Sequence, residues 1–134
     1  FNPKGTATLY SALDPATALR EANQVGNLQP TILVSYRADL GPVFDTRDAD
    51  ARDHFGVTPD MLDHPGWRAD MLEGRVVPTQ SLATALIREG FAGLLVRSFA
   101  KGATAATLNL VLWRWTTDNC KLEVIDDEDR LKRL

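Results

Sequence analysis

The chain has 134 residues, a formal net charge of −3 and a single cysteine, Cys120. That length suits one domain with a real core. One thiol excludes an internal disulfide and fits a reducing cytosol. No Lys/Arg run precedes the C-terminal segment, so the charge carries no nucleic-acid footprint. The apolar runs fall far short of the ~18 residues a membrane span needs, and no secretory leader pattern opens the chain, so a cytoplasmic protein with no membrane contact is expected.

Asn2-Pro3-Lys4-Gly5 is turn chemistry, with proline fixing φ and glycine supplying backbone freedom. A strand is expected over 6–12, rich in Thr, Leu and Tyr. Asp14 is a ready N-cap and Pro15 suits the first helical position, so a helix should run to about Gln24. Its apolar stripe would be Ala18, Ala22 and Val25, with Leu19 and Glu21 at the edges and Arg20 pointing away. Gly26-Asn27 should stop it, and Gln29-Pro30 opens a loop.

A strand with an apolar centre is expected over 31–36 and a short one over 43–45. Residues 46–55 read as a polar loop with a short helix ending before Gly56. Thr58-Pro59 starts another short helix, reaching Leu62, and 67–72 forms a further turn or two closed by Gly74. The clearest helix follows Pro78, with Thr79 as cap, Leu82, Ala85, Leu86 and Ile87 as core face, and Gly90 at its end. Strands are expected over 93–96 and 107–115, separated by the small, mobile segment 101–106. A turn at 117–119 leads to an edge or half-buried strand over 121–125, and the charged tail 126–134 is helical or frayed. Strands and helices intersperse without strict βα alternation, which favours an α+β domain over a doubly wound fold.

Motifs with a fixed mechanism are missing. There is no G-x-G-x-x-G, no P-loop and no G-x-S-x-G elbow around Ser98. His54 and His64, among Asp53, Asp60 and Asp63, match no zinc spacing and read as loop residues, so no metal is expected. Cys120 reads as a small buried side chain. Tyr10, Glu21 and Ser98 remain as dispersed polar positions at strand, helix and strand end.

The order of short blocks carries more. Asn2-Pro3-Lys4-Gly5-Thr6, Leu9-Tyr10-Ser11-Ala12 and then Glu21 are followed by Pro78-Thr79-Gln80, Gly93-Leu94-Leu95-Val96-Arg97-Ser98, Asn109-Leu110-Val111-Leu112 and Leu122-Glu123-Val124-Ile125-Asp126. In that order they resemble the RES domain, a family containing the toxins of one type of bacterial toxin–antitoxin pair. The resemblance implies a single compact mixed-sheet α+β domain over 1–134, similar to the ADP-ribosyltransferase toxins. It also implies an N-terminal segment that this sequence lacks. The family places one arginine immediately before the stretch matching Phe1-Asn2-Pro3 and another further upstream, and the chain opens at Phe1.

For function, the resemblance implies an enzyme that consumes NAD as substrate, cleaving the nicotinamide–ribose bond and passing ADP-ribose to water, phosphate or a protein target. The family's Glu and Ser fall on Glu21 and Ser98, and a site tyrosine on Tyr10. Asn2 and Gly5 would line the pocket beside the missing arginine or only shape its turn. Arg97 could reach a phosphate or stay at the surface. A helix-turn-helix antitoxin of the Xre class is the implied partner. The chemistry suits these residue types. A fixed carboxylate stabilises a ribose with oxocarbenium character, and because nicotinamide leaves neutral from a cationic ring nitrogen, no second carboxyl is needed as general acid. Two other readings stay open: a non-catalytic nucleotide- or protein-binding module on the same scaffold, and a serine hydrolase using Ser98 with His54 or His64.

Overall fold

Two hydrophobic strands with opposite directions form the centre of the molecule: β4 (Gly93–Arg97) and β5 (Leu108–Leu112). The computed structural model describes residues 1–24 and 30–134. β1 (Leu9–Ala12) pairs antiparallel with β5, and β3 (Val43–Asp45) pairs parallel with β4, giving a mixed sheet of order β1-β5-β4-β3. β2 (Ser35–Asp39), β7 (Cys120–Ile125) and β6 (Thr116–Thr117) form a second, antiparallel sheet of order β2-β7-β6. The α+β class expected from the sequence is the class observed, with the strands divided between two sheets. Gly93 has no alternative at its position, because a Cβ there would lie 2.2 Å from the Val111 carbonyl oxygen.

The parallel pairing of β3 with β4 needs a long crossover. It is supplied by α2 (Ala49–His54), α3 (Pro59–Leu62), α4 (Trp67–Leu72) and α5 (Pro78–Arg88). α5 carries the densest apolar face, and its Leu82, Ala83 and Leu86 pack with Phe44, Leu94, Val96, Val111 and Trp113 into the core. Leu86 and Leu94 are each fully buried, which is worth about 2 kcal/mol apiece in area removed from water.

The strand register also positions the polar residues. Residues paired directly across a ladder share a face. Tyr10, Val111, Leu94 and Phe44 therefore form one row across the sheet, and Ala12, Asn109 and Val96 the next. Ser98, two residues beyond Val96, continues the same face, where its amide still donates to the Thr107 carbonyl at 2.9 Å. The core face of the sheet thus passes from apolar to polar along its own rows.

α1 (Pro15–Ala22) covers that polar end. Its start follows the sequence. The Asp14 carboxylate accepts from the Thr17 amide at 2.9 Å and from the Thr17 hydroxyl at 2.6 Å. These bonds, the hydroxyl's foremost, hold the Asp14 carboxyl below its usual range. The expected stripe is corrected: Thr17 is the buried residue, Ala18 and Leu19 are half-buried and Ala22 is exposed. Thr17 is drawn inward by its own cap. Val25 and the stop at Gly26-Asn27 lie outside the described residues, as does Gln29.

Other boundaries also moved. β1 begins at Leu9, and Thr6 instead closes a turn onto the Pro3 carbonyl. β2 begins at Ser35, so the whole stretch 31–34 precedes it, and Ile32, Leu33 and Val34 are exposed. α5 starts at Pro78 without a side-chain cap, which leaves Thr79 inside the helix. β5 stops at Leu112, and β7 is the central strand of its sheet rather than an edge, because Thr116–Thr117 folds back beside it. Cys120 is buried. The tail forms one 3-10 turn, Leu131–Arg133. No described helix is long and apolar enough to cross a membrane.

Candidate functional site

Glu21 is reached from β5, from the segment just beyond β4 and from the chain just beyond its own helix. Its Oε1 accepts from the Ser98 hydroxyl at 2.5 Å and from the Asn109 side-chain amide at 2.5 Å. Its Oε2 accepts from the Gln24 side-chain amide. All of these donors are neutral, so they aim the carboxylate and leave its charge in place. Ser98 is 2 % exposed and is itself fixed, since its Oγ accepts from the Ala100 amide at 3.3 Å. Asn109 keeps one buried acceptor, Oδ1, with no hydrogen-bond partner among the described residues. Buried acceptors are seldom left so.

Tyr10 stands in the next row and lines several cavities, of which two concern this site. One, of about 380 Å³, is walled by Tyr10, Ala18, Glu21 and Asn109. The other, of about 430 Å³, is walled by Phe1, Asn2, Tyr10, Trp67, Gln80 and Phe99 among others. Volumes of this order suit small-molecule sites of ~300–1,000 Å³. Partial burial pushes the Tyr10 phenol up from its ordinary value, so it stays neutral and keeps its proton at physiological pH. The aromatic side chains in the larger cavity offer flat stacking surfaces.

Asn2 lies on the wall of the larger cavity, with its Oδ1 accepting from the Thr8 hydroxyl at 2.8 Å. The segment is held down by the Trp113 indole, which donates to the Phe1 carbonyl at 3.1 Å. Gly5 occupies the left-handed region at φ +80, and open space surrounds the position of a Cβ, so backbone conformation and not crowding calls for glycine there. Arg97 is exposed at the end of β4. Strand alternation turns it to the side opposite Ser98. The structure thus brings Glu21 and Ser98 into contact, sets Tyr10 on the same cavity wall as Glu21, puts Asn2 at the neighbouring cavity, and leaves Gly5 to the turn and Arg97 to the surface.

Asn109 and Gln24 were not among the residues expected at the site. Asn109 had a visible signal, as the one polar residue within the aliphatic strand Leu108–Leu112. Gln24 had none, since an exposed glutamine near a helix end is ordinary. The histidines do not approach Ser98 through any described hydrogen bond. His64 bonds Asp70 through Nε2 at 2.6 Å, and the His54 ring packs edge-on against Phe55.

The RES domain family model matches residues 1–133. No curated protein and no solved structure gives a significant match. With the match spanning nearly the whole chain, the protein belongs to the RES domain family.

Proposed function

We propose, with membership of the RES domain family as the premise, that this protein consumes NAD by breaking the bond between nicotinamide and ribose. The single observation that carries the reading is a Glu21 carboxylate held by neutral donors at the wall of a cavity it shares with Tyr10. As nicotinamide departs with the bonding electron pair, positive charge develops on the ribose. The Glu21 carboxylate, already oriented, stabilises that charge without having to reorganise. Ser98 and Asn109 are the positioning residues that hold Oε1. Tyr10 offers its ring for stacking and a neutral hydroxyl to the ribose. The unpartnered Asn109 Oδ1 has acceptor capacity for a sugar hydroxyl.

ADP-ribose then passes to water, to phosphate or to a protein. The family supports a role as the toxin of a pair, neutralised by an Xre-type helix-turn-helix antitoxin. The test is nicotinamide release from NAD by the full-length protein, with and without phosphate, beside calorimetric titration of NAD. Release that accelerates with phosphate identifies phosphorolysis, and release indifferent to phosphate leaves water or a protein as acceptor. Binding without release, in full-length protein that is folded, overturns the enzyme reading in favour of a binding module.

A further inference from the structure

A third cavity, of about 450 Å³, opens on the other side of α1. Its walls include Arg20, Asn23, Gln24, Phe99 and Lys101. Phe99 also lines the aromatic cavity, and Gln24 is one of the residues that bond Glu21, so this space adjoins the same site. Its charge is different. The Glu21 cavity contributes a carboxylate and the aromatic cavity contributes Asp63 and His64, whereas this one has two permanent cations and no carboxylate in its lining.

Five of the chain's other cations are held in carboxylate pairs: Arg47, Arg75, Lys121, Arg130 and Lys132. Among the described residues Arg20 and Lys101 have no such pair, in common with other cations such as Lys4, Arg68 and Arg88, and the Arg20 charge also helps to lower the Asp14 carboxyl. What sets the two apart is that they share one cavity wall. They are set by the same two elements that set the site. Arg20 precedes Glu21 on α1, and Lys101 follows Ser98 by three residues in a turn closed by the Ala103 amide on the Ala100 carbonyl at 3.0 Å. The Arg20 Nε lies 4.0 Å from where a Cβ would stand on Gly102, so its guanidinium is near the Lys101-Gly102 turn.

We infer that Arg20 and Lys101 form a subsite for a phosphate group beside Glu21. Two cations on one wall attract a dianion that the Glu21 carboxylate alone would repel. A guanidinium fork and an ammonium are the side chains that bind phosphate oxygens, and the Asn23 and Gln24 amides line the same space. The identity of the phosphate rests on the NAD-consuming reading, and the existence of the subsite does not. Two sources share this chemistry: the diphosphate of NAD, and orthophosphate as acceptor. In the second case the C1′–N bond breaks with its electron pair going to the nicotinamide ring nitrogen. A phosphate oxygen lone pair forms the new C1′–O bond, and the phosphate keeps its own proton.

The test uses the full-length chain carrying Glu21→Gln, which holds turnover down during titration. Sodium phosphate and ADP-ribose are titrated calorimetrically into it and into the same protein with Arg20→Gln, Lys101→Gln or the charge-preserving Arg20→Lys. A loss of about tenfold or more in affinity in each Gln variant, with substantial recovery in Arg20→Lys and unchanged melting temperatures, supports the subsite. If orthophosphate responds, the site takes an acceptor. If only ADP-ribose responds, it takes the diphosphate. Binding of both probes unaffected by Arg20→Gln and Lys101→Gln, or no binding of either probe, overturns the inference. Phosphate binding that depends on both cations, in a protein that releases no nicotinamide from NAD, keeps the subsite and removes the NAD-consuming reading.

Discussion

Asp70 and Glu21 are both held by hydrogen bonds of 2.5–2.6 Å, and their neighbours differ in kind. Asp70 accepts from the His64 ring at 2.6 Å and from the Arg75 guanidinium at 2.8 Å, with Glu73 completing the cluster through Arg75. Among the described residues Glu21 accepts only from a hydroxyl and two amides. The His64 bond, with Arg75 behind it, holds the Asp70 carboxyl below its usual range, and its charge is answered locally by the guanidinium. The charge of Glu21 is oriented but not cancelled. The contrast separates a carboxylate that ties a loop to a helix from one that can answer a cation arriving in a cavity.

The largest break in that comparison comes from removing the uncancelled charge. Glu21→Gln keeps the shape and much of the hydrogen bonding, and should lower nicotinamide release by ~10²–10³-fold while the melting temperature holds. A rate near that of the parent would remove Glu21 from the chemistry. Asn109→Ala should cost about tenfold, since it strips one donor from Oε1 and the free acceptor with it. Asn109→Asp sharpens the point. It places a second carboxylate within hydrogen-bond distance of the first, so one of the two must hold a proton, and the rate–pH profile should move to higher pH. A profile identical to the parent's would mean that Asn109 does not act through Glu21.

Ser98→Ala should cost less than tenfold, because Asn109 still holds Oε1, although the Ala100 amide also loses its acceptor. A total loss of activity with the fold intact would give Ser98 a direct role in the reaction. Asp70→Asn is the smallest effect on rate and belongs to stability. A carboxyl depressed in the folded state stabilises above its unfolded value, near 3.8, and that contribution disappears as pH falls through the folded value. The parent should therefore lose stability on acidification below about pH 4, and Asp70→Asn should melt lower at neutral pH with a shallower acid dependence. Thermal melts between pH 3 and 7 decide it, and two parallel melting-temperature curves would show that the cluster is idle.

The site was legible in the sequence as residue types at scattered positions. The ordered blocks from Asn2 to Asp126 pointed to Tyr10, Glu21 and Ser98, and the capping chemistry of Asp14 and Pro15 located the start of the helix that carries Glu21. Asn109 lies within one of those blocks, yet its partnership with Glu21 spans 88 residues and leaves no local trace. The burial of Thr17, the exposure of 32–34 and the central place of β7 escaped sequence reading for a related reason. Each depends on what lies opposite in space, whereas propensity reports only what lies adjacent in the chain.

By itself the sequence determined the α+β class, most element types and the helix starts at Pro15 and Pro59, which follow from capping residues, turn residues and hydrophobic runs acting within a few residues. The family came from the resemblance of its ordered blocks, which the family match bears out. The tertiary structure alone decided the division into two sheets, the shared face of Tyr10, Asn109 and Ser98, and the neutral cage around Glu21. Those follow from strand register and from the crossover that sets β3 beside β4. Register fixes which side chains share a face, and a shift of one residue would turn Asn109 away from Glu21.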